Sequence, residues 1–296
     1  EVTTEIGTEQ PAVMATRVGG SVAHGLMGLA SAHSRTALRA SLQTVFGFDD
    51  FRPGQAEAVD AALSGRDAAV VWNTGAGKSL CYQFPAMFTR RTTLIVSPLI
   101  SLMQDQVNKL NATVDQSNKI AVYLGSAQRD PMAESDALAG KYLMVYLSPE
   151  KLCSGDFLAN LKTSRLDVGL IAVDEAHCVS EWGHDFRPEY RQLHVLRDTF
   201  PDIPIMALTA TASPRVREDI VKSLKLRSPA MFAKSVDRDN LVIRAQPKSR
   251  IERDFRFLIE LLEQNPRASA IVYVPTIRDT EMCAKFLADA LEPIGV

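Results

Sequence analysis

The stretch "WNTGAGKSLCYQFPA", residues 72–86, decides the reading of this chain. Gly75 and Gly77 bracket Ala76, and Lys78 and Ser79 follow at once. Before them runs "RDAAVVW", short, apolar and β-branched; after them "SLCYQFPAMF" is apolar with mixed spacing. A strand, a glycine-rich turn and a Lys-Ser pair opening a helix are the parts of a P-loop. Only small residues let backbone N–H groups point inward at an anion, and Gly75, Ala76 and Gly77 supply them, with Thr74 in the same loop. Lys78 can then meet the β- and γ-phosphates of a nucleotide, and Ser79 can ligate magnesium. Trp72 stands where the strict pattern has glycine, and an ordinary turn is the alternative.

Outward from that loop, short apolar runs alternate with helical stretches. The runs are "AAVVW", "TTLIVS", "KIAVYL", "YLMVYL", "GLIAVD", "IPIMALT" and "ASAIVYV". Most are continuous rather than alternating, as strands buried on both faces are. Between them "PLISLMQDQVNKL", "PEKLCSGDFLANLK", "PEYRQLHVLRDTF" and "SPRVREDIVKSL" have helical character, and "ALRASLQTVFGF" and "PGQAEAVDAALSG" precede the first run. Repeated βα units predict an α/β fold with a parallel sheet and helices on both faces. Ligands of such sheets bind beyond the carboxyl ends of the strands.

The chain has 296 residues, 46% hydrophobic and 23% charged, with a net charge of -2. No global basic field advertises nucleic acid, so any such binding is local. The four cysteines, Cys81, Cys153, Cys178 and Cys283, form no C-x-x-C pair, which argues against a zinc site and for a reducing setting. No apolar run reaches the ~18 residues of a membrane span. The chain begins on Glu1, as a mature or excised piece would. Residues 1–36 read as a tail or linker, 37–235 as a first domain, the charged stretch 236–250 as an interdomain linker, and 251–296 as the opening of a second α/β domain.

Four further clusters carry chemistry. In "LIAVDEAH", residues 170–177, a buried strand delivers two carboxylates to the functional edge. Asp174 can hold magnesium, directly or through water, and Glu175 can orient or deprotonate an attacking water; His177 is either structural or a coupling residue. In "ALTATAS", residues 207–213, Thr209 and Thr211 are N-cap hydroxyls, γ-phosphate sensors, or both. In "SEWGHDFRPEY", residues 180–190, Trp182, His184, Phe186, Arg187 and Tyr190 suit the stacking of single-stranded bases, with core packing as the rival. In "FGFDDFRPGQ", residues 46–55, Gln55 can pair an adenine edge while Phe48 and Arg52 stack on its faces; read bare, it is a helix start.

Those segments, with "LIVSPLISLMQDQV", "LGSAQ" and "DRDNL", occur in the order of RecQ-type DNA helicases, and the chain resembles that family over roughly residues 40–296. "LGSAQ" and the run through "DEAHCVSEWGHDFRPEY" are similar to the Werner-syndrome-like branch. The resemblance implies two RecA-like domains hinged around ATP, with magnesium, and an ATP-dependent 3′-to-5′ helicase that acts on single-stranded and partly duplex DNA. It implies adenine recognition by Phe48, Arg52 and Gln55. It implies hydrolysis by Asp174 and Glu175, and coupling through Trp182, Phe186, Arg187, Thr209 and Thr211. DNA repair and recombination, other repair proteins as partners, and the nucleus of a eukaryote or otherwise the cytoplasm belong to the same expectation. Two departures stand out: Ala76 replaces a glycine of many members, and the family's arginine-finger stretch, worth ~10³–10⁵ in rate where measured, is absent from the sequence. The expectation is therefore a truncated core that binds ATP but turns it over slowly. A nucleotide-dependent DNA-binding module without turnover, or an RNA helicase, are the rivals.

Overall fold

The computed structural model describes residues 2–6, 34–113, 119–183, 185–234, 241–265 and 267–292. Contacts divide the chain into two compact units, Gly20–Asp237 and a second made of Glu1–Gly19 with Arg238–Val296.

The larger unit is built on a seven-stranded parallel sheet. Its strands are β2 (Ala68–Val71), β3 (Thr92–Val96), β4 (Ala121–Leu124), β5 (Met144–Leu147), β6 (Val168–Val173), β7 (Ile205–Thr209) and β8 (Ala230–Ala233), in the spatial order β4-β5-β3-β6-β7-β2-β8. Side chains alternate between two cores, as the pleat requires. Leu94, Val96, Val145, Leu147, Ile171, Val173, Ile205 and Ala207 face one. Ile95, Met144, Tyr146, Leu170, Ala172, Met206, Leu208 and Val70 face the other. The first core is closed by α5 (Ala133–Leu138), α6 (Pro149–Cys153), α7 (Gly155–Thr163) and α10 (Pro214–Ser223), through residues such as Phe157, Leu161, Val216 and Ile220. The second is closed by α2 (Gln55–Leu63), α3 (Leu80–Thr89) and α4 (Ile100–Asn111), through Ala58, Tyr82 and Met103. Burial on both faces is why these strands read as continuous apolar runs. A third cluster seats α1 (Arg35–Phe46) through Leu38 and Leu42 beside Phe51 and Phe84. No helix among the described residues is long and apolar enough to cross a membrane.

Several sequence expectations are corrected. "PEKLCSGDFLANLK" breaks at Ser154, whose extended backbone ends α6 and caps α7. "PEYRQLHVLRDTF" is a chain of short turns: α8 (Pro188–Arg191), a 3₁₀ turn Gln192–His194 and α9 (Val195–Thr199). The four-residue β8, "AMFA", was too short to show a period, yet it pairs in register with β2. In the smaller unit, β1 (Val2–Ile6) pairs antiparallel with β9 (Leu241–Ala245), a strand inside the stretch read only as charged. Residues 7–33, most of the segment read as a tail, lie outside the described residues. The helix expected at 251–264 divides into α11 (Ile251–Asp254) and α12 (Arg256–Gln264), and α13 (Ile277–Leu291) follows. "ASAIVYV", residues 268–274, is not a strand: it has no ladder, and Ile271 and Tyr273 are 78% and 89% exposed. A β-branched run becomes a strand only when another strand takes up its backbone groups.

At the amino edge of the sheet a buried ion pair joins three segments. Asp67 is fully buried and accepts from Arg197 Nη2 through both carboxylate oxygens, at 2.8 and 2.6 Å. It also accepts from the backbone of Ile205 at 2.9 Å and of Arg227 at 2.6 Å. Removing Arg197 leaves the buried Asp67 charge with only the longer ion pair to Arg227 Nε, at 3.8 Å. Arg197→Ala is expected to lower the unfolding free energy by about 3–5 kcal/mol, read as a fall in the denaturant midpoint at unchanged slope.

Candidate active site at the carboxyl edge of the sheet

β2 delivers the chain to the glycine loop, residues 72–79, and α3 leaves it. Gly77 has φ +83°, and a Cβ there would collide with Gln55 Nε2. That contact is a bond in the native chain: Gln55 Nε2 donates to Gly77 O at 2.9 Å, and Arg52 Nη1 donates to Gly75 O at 2.7 Å. Gln55 Oε1 accepts from Arg52 N at 2.7 Å. So the "FRPGQ" turn, read from sequence as an adenine contact, braces the loop's backbone, and Gln55 is buried while Phe48 stands exposed. Trp72, in place of the motif's first glycine, is buried with Lys234 Nζ 4.1 Å from its ring centroid. It closes the strand end and leaves the left-handed positions to the glycines that follow.

Lys78 Nζ donates to Trp72 O at 2.9 Å and to Asn73 O at 3.4 Å, so the ammonium folds back over its own loop. Burial lowers its pKa, and the nearby Glu175 and Asp174 carboxylates oppose that shift. Thr74 and Gly75 are exposed, and Ala76, Gly77, Lys78 and Ser79 are half-buried.

β6 delivers the carboxylates. Asp174 N donates to Val96 O at 2.9 Å, extending the β3–β6 ladder by one residue. Desolvation, then the Glu175 charge, push the Asp174 carboxyl up to about 6. Glu175 adopts φ 47°, ψ 43°, a left-handed conformation costing about 1–2 kcal/mol in a residue with a Cβ. Its N–H donates to Asp174 Oδ1 at 3.0 Å. The chain then enters a 3₁₀ turn, Ala176–Val179.

β7 lies between β6 and β2, so Thr209 sits between the carboxylates and the loop. Its backbone carbonyl accepts from Trp72 N at 3.1 Å. Its hydroxyl donates to Thr211 O at 3.1 Å and lies 2.8 Å from His177 Nδ1. With the hydroxyl hydrogen committed to Thr211, the His177 proton belongs on Nδ1, shared with Glu175 Oε2 at 3.3 Å. The cap of α10 is Ser213, whose Oγ accepts from Val216 N at 3.4 Å, not Thr209 or Thr211.

In the aromatic loop Trp182 is 62% exposed and Phe186 36%, whereas Tyr190 is buried. Packing therefore accounts for Tyr190 and leaves the other two rings presented. Arg215, on α10, lies 3.6 Å from the Trp182 ring centroid, and Arg191 lies 5.5 Å from that of Phe186. Arg187 Nη1 donates to Pro98 O at 3.1 Å and its N–H to Cys178 O at 3.0 Å. His184 lies outside the described residues. Gly183 was missed from the sequence: a Cβ there would strike the His177 carbonyl, so only glycine lets the loop pass this close to the 3₁₀ turn. Tyr190, read from the sequence only as one ring of the aromatic loop, has a specific partner: its hydroxyl donates to the Asp174 carbonyl at 3.0 Å.

A glycine loop and an acidic strand end on one sheet edge, bridged by the strand between them, are the arrangement that suits a nucleoside triphosphate and its cation. The chain belongs to the DEAD/DEAH box helicase family, whose model matches residues 52–220, more than half of its length. Within it the chain is similar to the ATP-dependent DNA helicase RecQ of Haemophilus influenzae, at 42% identity over 250 residues, 83% of this chain and 39% of that protein. It is 38% identical over 264 residues to the RecQ-like DNA helicase BLM of Xenopus laevis, 85% of this chain and 18% of that one. It is 42% identical over 247 residues to the bifunctional 3′-5′ exonuclease/ATP-dependent helicase WRN of Mus musculus, 81% of this chain and 17% of that one. The chain thus spans well under half the length of these relatives. Among solved structures, the DUF1998 helicase MrfA bound to DNA shares the fold, with TM-score 0.67 at 17% identity over 90% of this chain and 40% of that one.

The raised Asp174 pKa has a stability consequence. A folded value of about 6 against 3.8 for the free group means that the folded state binds this proton more tightly. The contribution of this group to stability is therefore full below about pH 4 and is lost as pH rises to about 6, by roughly 2–3 kcal/mol. Asp174→Asn removes that fall. Its Tm is expected to match the native chain near pH 4 and to exceed it above pH 6, in melts recorded without nucleotide across that range.

Proposed function

We propose that this chain carries the ATPase core of a RecQ-type DNA helicase, coupling ATP hydrolysis to movement on single-stranded DNA and to duplex unwinding. The observation that carries the reading is the convergence of Lys78, Asp174 and Glu175 on one sheet edge, close enough that each carboxylate acts on the Lys78 ammonium. In this reading residues 74–79 cradle the phosphates and Lys78 leaves the Trp72 carbonyl for the β- and γ-phosphates. The Asp174 carboxylate and Ser79 hydroxyl are hard oxygen donors that suit magnesium. The ion would neutralise charge on the transferred phosphoryl group. Glu175 orients or deprotonates the attacking water, and His177 and Thr209 report its state to the neighbouring strand. Phe48 is the exposed ring left for adenine, with Arg52 and Gln55 tying that contact to the loop.

Trp182 and Phe186 offer ring faces to bases, flanked by Arg187 and Arg191. The RecQ, BLM and WRN relatives support DNA over RNA as the substrate and helicase turnover over binding alone. The resemblance to RecQ helicases supports 3′-to-5′ polarity and a role in DNA repair and recombination, in the nucleus if the source is a eukaryote. It also supports the division at 236–250 between two RecA-like domains.

Lys78→Ala removes a charge-assisted phosphate contact. It is expected to weaken magnesium–ATP binding at least tenfold in calorimetry; equal affinity would refute the loop assignment. Trp182→Ala and Phe186→Ala are expected to leave ATP affinity within about twofold, since neither is assigned to the nucleotide. Both are expected to lower the stimulation of hydrolysis by single-stranded DNA several-fold, as lost stacking of ~1–3 kcal/mol per base implies. Stimulation unchanged in both returns the loop to a packing role, and stimulation by RNA in place of DNA would favour an RNA helicase.

A further inference from the structure

The aromatic loop and the carboxylates meet at one buried hydroxyl. Tyr190 closes the "FRPEY" end of the loop as part of α8, and its N–H donates to Arg187 O at 3.0 Å. Its ring is fully buried in the core beneath the sheet, among residues that include Val173, Cys178 and Leu193. From there Oη donates to the carbonyl of Asp174 at 3.0 Å. That carbonyl belongs to the peptide joining Asp174 to Glu175, so its direction fixes the ψ of Asp174 and the entry into the left-handed Glu175. A non-glycine residue holds such a conformation only where its surroundings over-determine it. Two further bonds act on the same unit: Asp174 N to Val96 O at 2.9 Å, and Glu175 N to Asp174 Oδ1 at 3.0 Å. The first holds the amide before Asp174, the second uses the carboxylate itself, and the Tyr190 hydroxyl holds the peptide between.

We infer that Tyr190 is a positioning residue for hydrolysis: its hydroxyl orients the Asp174–Glu175 peptide, and so both carboxylates, and makes that orientation depend on the aromatic loop from which it comes. The inference rests on the reading of Asp174 and Glu175 as the hydrolytic pair. A core tyrosine needs a partner for its hydroxyl, but many backbone carbonyls would serve. Here the partner is the peptide between the two functional carboxylates. The route is short. Arg187 is bonded to Pro98 O and Cys178 O, and three residues later Tyr190 reaches Asp174, so a displacement of Phe186 or Arg187 is passed on without crossing another element.

The test is Tyr190→Phe, which keeps the ring and removes only the hydroxyl, alongside Glu175→Gln as a reference for the carboxylates. Single-turnover hydrolysis of magnesium–ATP, ATP affinity, thermal melting and hydrogen exchange at the Glu175 amide are measured on each. For Tyr190→Phe the expectation is ATP affinity within about twofold and a cooperative melt. Hydrolysis slows roughly five- to twentyfold, the scale of one misdirected hydrogen bond in a rate, and Glu175 exchanges faster while β6 does not. A packing role would move the melt and leave the rate and the Glu175 exchange alone, which overturns the inference. If Glu175→Gln hydrolyses at the native rate, the hydrolytic reading fails and takes this inference with it. If Glu175→Gln is silenced and Tyr190→Phe is not, only the positioning role fails. Should Tyr190→Phe lose its cooperative melt, 3-fluorotyrosine at position 190 replaces it. Its more acidic hydroxyl is expected to slow exchange at Glu175, and unchanged exchange there refutes the contact's role.

Discussion

The hydrogen-bonded ladder β6–β7–β2 sets the distance between the glycine loop and the carboxylates, and every other feature of the site is referred to it. Parallel strands stand about 4.8 Å apart. Two motifs at the ends of strands separated by one neighbour are therefore held about 10 Å apart, with the intervening strand end aimed between them. Thr209 occupies that end. Its carbonyl binds the residue that opens the loop, and its hydroxyl meets the histidine of the acidic turn. Side-chain adjustments on either motif act against a backbone scaffold that both cores bury, so the geometry is decided by the fold before any ligand arrives.

The carboxyl edge gathers several local costs in one place. Glu175 is left-handed, Asp174 is desolvated beside a like charge, and Lys78 is partly buried with its ammonium on backbone carbonyls. Each is unfavourable locally, and together they describe a site waiting for opposite charges. A polyphosphate suits Lys78 and the loop's N–H groups, and a divalent cation suits Asp174. The stability needed to hold such an edge comes from elsewhere, from the continuous apolar strands and from the Asp67–Arg197 pair at the opposite edge, where every carboxylate oxygen has a partner.

The sheet and its carboxyl edge were legible because both signals are local. Strands buried on two faces are unbroken apolar runs, and "TGAGKS" and "DEAH" each announce a turn whose neighbours are fixed by sequence. What was not legible depends on contacts between distant segments. Nothing in "FRPGQ" says that Gln55 and Arg52 spend their hydrogen bonds on Gly77 and Gly75, over twenty residues away. Gly183 looks like any loop glycine until the His177 carbonyl is placed against it. "ASAIVYV" has the composition of a strand and lacks the partner that would make it one, and "AMFA" has no such composition and becomes a strand because β2 offers it an edge. Tyr190 was read as one aromatic among several, and only the burial of its ring separates it from Trp182.

A net charge of -2 is a poor advertisement for nucleic acid, and the aromatic loop shows how the proposed binding can still be local. Its cations are largely engaged with its own acids: Arg187 with Asp185 at 3.2 Å and Arg191 with Glu181 at 3.0 Å. The loop is therefore close to neutral as a unit, and its distinctive offering is the exposed faces of Trp182 and Phe186. Stacking is tolerant of base identity, which suits the proposed movement along any sequence. Arg215 lies over one face of Trp182, and the ring as a whole stays largely exposed. A base stacking in place of that guanidinium would exchange one π contact for another and free the cation for the strand's phosphates.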